Sequence, residues 1–444
     1  MTNRLVARSL AGACSRGLRS AEVDATSGLV SLLWADGMRR SFHPLWLRDN
    51  CPSRRHPGTR QKLCSAADLP LALRVAAADA SEGTLHVRWD PEHASAFCAD
   101  WLRGHGTVSA AAPSSLVDEP MDDAATAAAR ASPPPEVERI SFDELQRGGA
   151  DAHWRWLRAL ADDGVTLVEG VPERVSLADT ASRDDSVDGV RFVAELIGPM
   201  QPNIYGSIFD VVSKGDAAEN LAYTSEAIGP HMDLCYYESP PGLQLLHCLQ
   251  FDEDVSGGGS LLVDAFAVAE AVRAASPAAF RTLSTVPATF LKDHSRRDRP
   301  VLLSYQRPHL AVDPRDQRLT GVFWSPPFEG PLRGLPPDAV AAYYRAYRVL
   351  HDAIDAAPRW ECRLRPGEML VFNNRRMLHG RAAFESTAGG GRHLRGGYVN
   401  IDEFANSLNL LRRAFAHSED GSSIALGNQD WATTPIELPR ELEG

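Results

Sequence analysis

Two potential metal ligands stand two residues apart in Pro230-His231-Met-Asp233, and a second histidine lies far downstream in Phe372-Asn-Asn-Arg-Arg-Met-Leu-His379-Gly380. In an extended chain, side chains at i and i+2 leave the same face, so His231 and Asp233 can reach one ion. Two imidazoles and one carboxylate on one face of an octahedron suit non-haem Fe(II) and leave three positions open. Those positions suit a chelating keto acid and O2. A keto acid with a distant second carboxylate needs a fixed cation, and the planar fork of arginine fits it better than lysine. Arg392, thirteen residues beyond His379, is the candidate, while Arg375, Arg376, Arg381 and Arg395 read as surface charge.

These residues need strands to carry them. Gln244–Leu249, Leu261–Val263, Met369–Phe372 and Gly397–Ile401 are short apolar runs bounded by Gly, Pro and Asn, the pattern of buried strands. Helices are expected near 186–197 and 337–355, and after the capping box Ser141-Phe-Asp-Glu144 in a helix carrying Trp154, Trp156 and Leu157 that Gly164 ends. Upstream, Val30–Trp34 before Asp36-Gly37 and Leu85–Trp89 read as strands of a small β unit. Ala, Ser, Pro and Asp then dominate up to Pro133-Pro-Pro135, which reads as a linker or an ordered excursion. Strands mixed with Gly/Pro turns, with helices grouped early, favour an α+β jelly roll over a parallel βαβ sheet. The expected division is an N-terminal extension (1–21), a β-rich domain (22–105), a linker (106–137), a catalytic domain (138–430) and a C-terminal tail (431–444).

With a net charge of −12, a nucleic-acid partner is not expected, and no apolar run is long enough to span a bilayer. Seven scattered cysteines argue against a disulfide framework and for a reducing, cytoplasmic setting. The arginines at 4, 8, 16 and 19, with no acid before Glu22, also admit a mitochondrial transit peptide. The amphipathic stretch Phe404–Phe415 can serve a homodimer interface or cover its own core.

Six motifs in order carry a resemblance: Trp46-Leu-Arg-Asp-Asn-Cys51, Ala222-Tyr-Thr224, His231-x-Asp233, Pro240-Pro-Gly-x-Gln-x-Leu-His-Cys248, Val263-Asp264 and Leu378-His-Gly-Arg381. Together they resemble the γ-butyrobetaine hydroxylase and trimethyllysine hydroxylase family of Fe(II)/2-oxoglutarate-dependent oxygenases. The resemblance implies a double-stranded β-helix behind a small N-terminal β domain. It implies His231, Asp233 and His379 as iron ligands, Arg392 with Leu246 at the 2-oxoglutarate, and hydroxylation of an unactivated C–H. It further implies an aromatic cage for a trimethylammonium group, made by Tyr205, Phe209, Tyr223 and Tyr398, with Asn220 toward the substrate carboxylate. Rings attract such a cation by roughly 0.5–2 kcal/mol per contact. Phe209 stands where the pattern often has Trp, which weakens the cage.

Two departures qualify this. In Val322-Phe-Trp-Ser-Pro-Pro-Phe328, Ser325 and Pro326 do not supply the asparagine pair common in butyrobetaine hydroxylases, so the anionic end of the substrate stays open among carboxylate, phosphonate and amino acid. The family's N-terminal zinc ligands are reduced to Cys51, His56 and His93, so structural zinc is not expected. The alternatives are an oxygenase of the same fold acting on a non-quaternary substrate, and a ligand-binding sensor without turnover. Asp233 disfavours a halogenase, which leaves the carboxylate position to halide. His247, His309, His351 and His393 read as structural histidines.

Overall fold

The computed structural model describes residues 17–56, 59–89, 93–105, 124–176, 186–212, 224–295, 299–386 and 391–415. Asn220, Tyr223, most of the N-terminal extension, the first half of the expected linker and the C-terminal tail lie outside them.

The N-terminal unit holds two antiparallel three-stranded sheets, β1 (Leu18–Val23), β2 (Val30–Trp34) and β3 (Arg39–Phe42), then β4 (Val75–Ser81), β5 (Thr84–Trp89) and β6 (His93–Cys98). In β5 the period of two is clean: Leu85, Val87 and Trp89 are buried while His86 and Arg88 face water. Between the sheets runs helix α1 (Pro44–Asp49), started by Pro44 and by the His43 ring, which accepts from the Leu45 amide. The Trp46 indole donates to the Leu332 carbonyl at 3.1 Å, so the Trp-Leu-Arg-Asp-Asn motif docks this unit on the rest of the chain. One apolar core runs through both parts.

The expected linker is not featureless. Helix α2 (Ala124–Arg130) buries Ala125 and Ala129 completely and packs on the long helix α5 (Pro337–Ala356), whose bounds agree with the periodicity. Small side chains permit that close approach.

Downstream, β7 (Glu138–Ser141) leads to two helices where one was expected. The first is capped by the Ser141 hydroxyl on the Glu144 amide, and the chain breaks at Gly148-Gly149 (Gly149 φ +61°) before α3 (Gly149–Asp163). Gly164, left-handed at φ +78°, ends α3 and releases β8 (Val165–Glu169). The stretch near 186–197 begins as a short strand. Asp188 then caps helix α4 (Gly189–Glu195) by accepting from the Val190 amide.

Six further strands matter for the site: β9 (Ile208–Val211), β10 (Ile228–His231), β11 (Leu243–Phe251), β12 (Ser260–Asp264), then, beyond β13 (Trp360–Cys362) and β14 (Met369–Asn373), β15 (Met377–Arg381) and β16 (Arg392–Val399). One sheet has the order β9-β16-β11-β14-β8-β7, antiparallel except for β7/β8, and the other β10-β15-β12-β13, antiparallel throughout. Their inner faces share Val165, Leu167, Leu246, Cys248, Leu262, Leu370, Phe372, Met377 and Leu394, while the outer face of the larger sheet packs on α3, α4 and α6 (Ile401–Phe415). The fold is mixed α/β, and no ladder joins the two sheets into a closed barrel among the described residues. The last expected strand runs over 392–399, so Arg392 opens it and Ile401 already belongs to α6.

Helix α6 buries Ile401, Phe404, Ala405 and Leu408 in its own subunit, stacks Phe415 on Trp154 and leaves Leu410 exposed. No helix among the described residues is long and apolar enough to cross a membrane. Cys51, Cys64, Cys235, Cys248 and Cys362 are free, and Cys98 is disulfide-bonded.

Candidate active site

β10 and β15 pair in a register that sets His231 opposite His379, with ring centroids 4.3 Å apart. His379 therefore sits in mid-strand. Asp233 lies beyond β10, in a turn where Leu234 takes φ +59°, so strand periodicity alone does not aim its carboxylate. Asn374, fully buried in the β14/β15 turn, does. Its Oδ1 accepts from the Asp233 amide at 3.0 Å, and its Nδ2 donates to the carbonyls of Asp233 and Pro241.

The Asp233 carboxylate then spans the two rings, with Oδ1 3.4 Å from His231 Nε2 and Oδ2 3.6 Å from His379 Nε2. The three ligand atoms lie within 4.8 Å of one another, the only such group of His, Cys, Asp and Glu among the described residues. The Gly229 carbonyl, 3.0 Å from His231 Nδ1, holds that ring with Nε2 inward. Burial would raise the Asp233 pKa, but the charges of His379 and His231 and the Tyr398 hydroxyl outweigh it and hold the carboxyl well below its usual range. Burial and the neighbouring His231 lower His379 to about 3. Burial works against a charged His231 too, yet the Asp233 hydrogen bond and charge raise its pKa. The trio thus gathers one carboxylate and two imidazole nitrogens around a single point.

A cleft of about 100 Å³ opens above it. On β16, alternation turns Arg392, Leu394 and Tyr398 into this cleft and His393 and Arg395 away from it. Arg395 makes ion pairs with Glu173, Asp188 and Asp210, and Arg376 pairs with Asp264, so both are structural. Arg392 differs. It is 7% exposed, its Nε donates to the Gly258 carbonyl, and among the described residues no carboxylate pairs with it. Burial and the adjacent guanidinium of Arg381 push its pKa down to about 10. A buried guanidinium beside another cation favours an anionic ligand. Leu246 and Gln244 point inward from β11, and Ser260 and Arg381 complete this end.

At the other end stand three of the expected aromatics. Tyr398 donates its hydroxyl to Asp233 Oδ2 at 2.7 Å, Phe209 stacks on Tyr398 at 5.2 Å, and Tyr205 is 6.4 Å from Phe209. Phe209 fits because Gly396 lies beneath it; a Cβ there would be 2.6 Å from the ring. Ser325 is fully buried outside the cleft wall, which is formed instead by Pro327 and Phe328. Sequence reasoning overlooked Gln61, Gln244 and Ser260, and Arg381, expected as surface charge, is instead buried in the cleft wall. For Gln244 a signal existed, since it shares the inward face of β11 with Leu246.

The other histidines are structural. His247 bonds the Val171 carbonyl, His309 the Phe323 carbonyl and the Tyr343 hydroxyl, His351 Asp352, and His393 Asp210. At the expected zinc position, Cys51 Sγ has His93 Nε2 at 3.6 Å but the hydroxyls of Ser53 and Ser95 at 3.1 and 2.9 Å, while His56 Nδ1 accepts from the Thr59 amide. That donor set does not fit the four sulfur or nitrogen ligands of structural zinc.

Residues 128–398 match the model described as "Taurine catabolism dioxygenase TauD, TfdA family". The chain belongs to this dioxygenase family. Residues 21–103 match a "Gamma-butyrobetaine hydroxylase-like, N-terminal" model, which places the chain in the butyrobetaine/trimethyllysine branch. Gamma-butyrobetaine dioxygenase of Pseudomonas sp. (strain AK-1) is 36% identical over 403 residues, 86% of this chain and 94% of that protein. Dioxygenase str8 of Strobilurus tenacellus is 29% identical over 381 residues, 83% of this chain and 84% of its own. Trimethyllysine dioxygenase of Meyerozyma guilliermondii is 28% identical over 401 residues, 86% and 93% respectively.

Proposed function

We propose that this TauD-family dioxygenase hydroxylates an unactivated C–H bond of a small acid bearing a trimethylammonium group, with Fe(II) on His231, Asp233 and His379 and 2-oxoglutarate anchored by Arg392. The two facing sheets are read as a double-stranded β-helix. One observation carries the proposal: a single cleft joins the ligand trio, a buried arginine without a carboxylate among the described residues, and the Tyr205–Phe209–Tyr398 aromatics. The donor set fits Fe(II), which His231, Asp233 and His379 would hold with positions left for an oxygen-donor co-substrate. When bound, iron and 2-oxoglutarate supply the oxidising power that places one oxygen atom of O2 on the substrate and leaves succinate and CO2.

The chain's own residues position and shelter. Arg392 fixes the far carboxylate, and Leu246, Val211, Ile228 and Leu394 keep water from the co-substrate. The aromatic rings hold a cation that cannot donate hydrogen bonds, and Tyr398 ties that cage to Asp233 through its hydroxyl. Tyr223 and Asn220 belong to the same reading but lie outside the described residues. The acidic balance of the chain supports a small cationic ligand over nucleic acid. A homodimer over the outer face of α6, on the exposed Leu410, completes the reading, and solution mass measurement tests it.

The deciding assay is Fe(II)-dependent succinate release with γ-butyrobetaine, trimethyllysine and a trimethylammonio-phosphonate, each beside an isostere with carbon in place of the quaternary nitrogen. At least one charged compound is expected to turn over while its neutral isostere binds far worse. Equal binding of both sinks the cage reading and leaves the iron assignment standing.

A further inference from the structure

We infer that Phe251 and Phe384 are positioning residues for the co-substrate, because they hold the Arg392 guanidinium between two rings in place of a carboxylate partner; the inference rests on the reading of Arg392 proposed above. Guanidinium and phenyl groups alternate here, in the order Arg363, Phe251, Arg392, Phe384 and Arg381. The Arg363 guanidinium carbon lies 3.7 Å from the centre of the Phe251 ring, and that of Arg392 lies 5.4 Å from the same centre. Arg392 is 5.9 Å from the centre of Phe384, and Arg381 is 4.9 Å from it. The strands dictate this order. Phe251 ends β11 directly opposite Arg392, the first residue of β16, so the two side chains are cross-strand neighbours. Phe384 opens a short strand, Phe384–Ser386, and pairs with Gly257. The next residue, Gly258, lets the groups close up, since a Cβ there would lie 3.2 Å from Arg392 Cδ and equally near Phe251 and Phe384.

Both ends of the stack are tied to backbone. Arg363 donates to the carbonyls of Val255 at 2.6 Å and Asp252 at 2.5 Å, and Arg381 to those of Thr224 at 2.8 Å and Glu226 at 2.5 Å. The Phe384 amide donates to the Ser225 carbonyl between them at 3.0 Å. Those carbonyls stand just before β10, the edge strand that ends in His231, so the stack links the co-substrate anchor to the metal strand. Arg392 itself commits only its Nε, to the Gly258 carbonyl, and its two Nη groups have no partner among the described residues. A carboxylate beside it would neutralise the charge and compete for the same planar fork. A ring attracts the cation through its quadrupole and leaves the charge in place. The two rings thus fix the guanidinium while keeping it ready for an anion.

The test titrates the full-length, Fe(II)-loaded protein by calorimetry under anaerobic conditions. Its two probes are 2-oxoglutarate and 2-oxovalerate, the same keto acid with a methyl group in place of the far carboxylate. Phe384→Leu is expected to weaken 2-oxoglutarate about fivefold and to leave 2-oxovalerate within about twofold, because only the former engages Arg392. Phe251→Leu carries the same expectation from the other side of the guanidinium. Phe384→Tyr keeps the ring and is expected to bind 2-oxoglutarate within about twofold of wild type. Retained 2-oxovalerate binding shows that each variant is folded. Equal weakening of both keto acids by the leucine variants, weakening of neither, or a loss in Phe384→Tyr as large as in Phe384→Leu overturns the inference while the anchor reading stands. A wild type that binds 2-oxoglutarate no more tightly than 2-oxovalerate overturns both.

Discussion

The phenol of Tyr398 touches both halves of the site: its ring stacks on Phe209, and its hydroxyl donates to the Asp233 carboxylate. Tyr398→Phe keeps the ring and deletes a hydrogen bond to a charged acceptor, a change of about 1.5–3 kcal/mol. Fe(II) affinity, followed by equilibrium dialysis, is expected to fall about tenfold or more while the cage still admits a quaternary ammonium. Unchanged metal affinity would show that the hydroxyl does not support the ligand. Asp233→Ala removes the ligand itself, and turnover is expected to vanish in a folded protein; wild-type activity there would refute the triad. Arg392→Ala is expected to weaken 2-oxoglutarate by about 2–5 kcal/mol, since the partner carboxylate then lies unpaired at a buried site. Unaltered co-substrate affinity would transfer the anchoring role to Arg381. Spacing to His379 picked out Arg392 from the sequence because β16 alternates, which also turns Arg395 outward into its ion pairs.

At the scale of elements, the strands were legible where one face is buried, because apolar runs between Gly and Pro survive in one dimension. Position in the turns was not. Asp233 owes its aim to Asn374, a contact across 141 residues of chain that no local pattern announces. Ser260 and Arg381 face the cleft only because β12 and β15 pair residue for residue, Ser260 opposite Arg381. Glycine can be read in the same terms. Gly396 matters less for its freedom than for the absence of a Cβ under Phe209, and Gly396→Ala forces that ring to move. The expected result is a several-fold rise in KM for a quaternary substrate with 2-oxoglutarate affinity and melting temperature little changed. A loss confined to 2-oxoglutarate would mean that the alanine disturbs Leu246, 3.0 Å from the same point, instead of the cage wall.

For the whole molecule, the sequence marked a boundary near residue 105, but not that the two parts share one core or that their seam carries a buried ionic cluster. Such a cluster depends on groups brought together over 267 residues, Lys62 and Glu329, each unremarkable alone. Its two carboxylates share one bonded ammonium, with the half-buried Arg55 guanidinium as a further cation nearby, which makes pH a probe of the seam. Burial pushes the Glu329 carboxyl up to about 7; the Lys62 charge opposes this, and Asp49 adds to it. The unfolded chain gives up this proton near the ordinary value of about 4.3. Below that value both states are protonated and the contribution of Glu329 to stability is full. Above it the unfolded state releases its proton while the folded state keeps it, so stability drains as the pH rises toward 7 and levels off beyond. The loss is at most about 3–4 kcal/mol. Glu329→Gln keeps an acceptor for the Tyr347 hydroxyl and holds the position neutral at every pH. Wild type and variant are therefore expected to melt together near pH 4.5, and the variant to melt several degrees higher at pH 8. Groups that titrate elsewhere cancel in the difference. A gap between the two melting temperatures that stays constant from pH 4.5 to 8 would show that Glu329 is ionised throughout, with Lys62 and the half-buried Arg55 together offsetting the two acids.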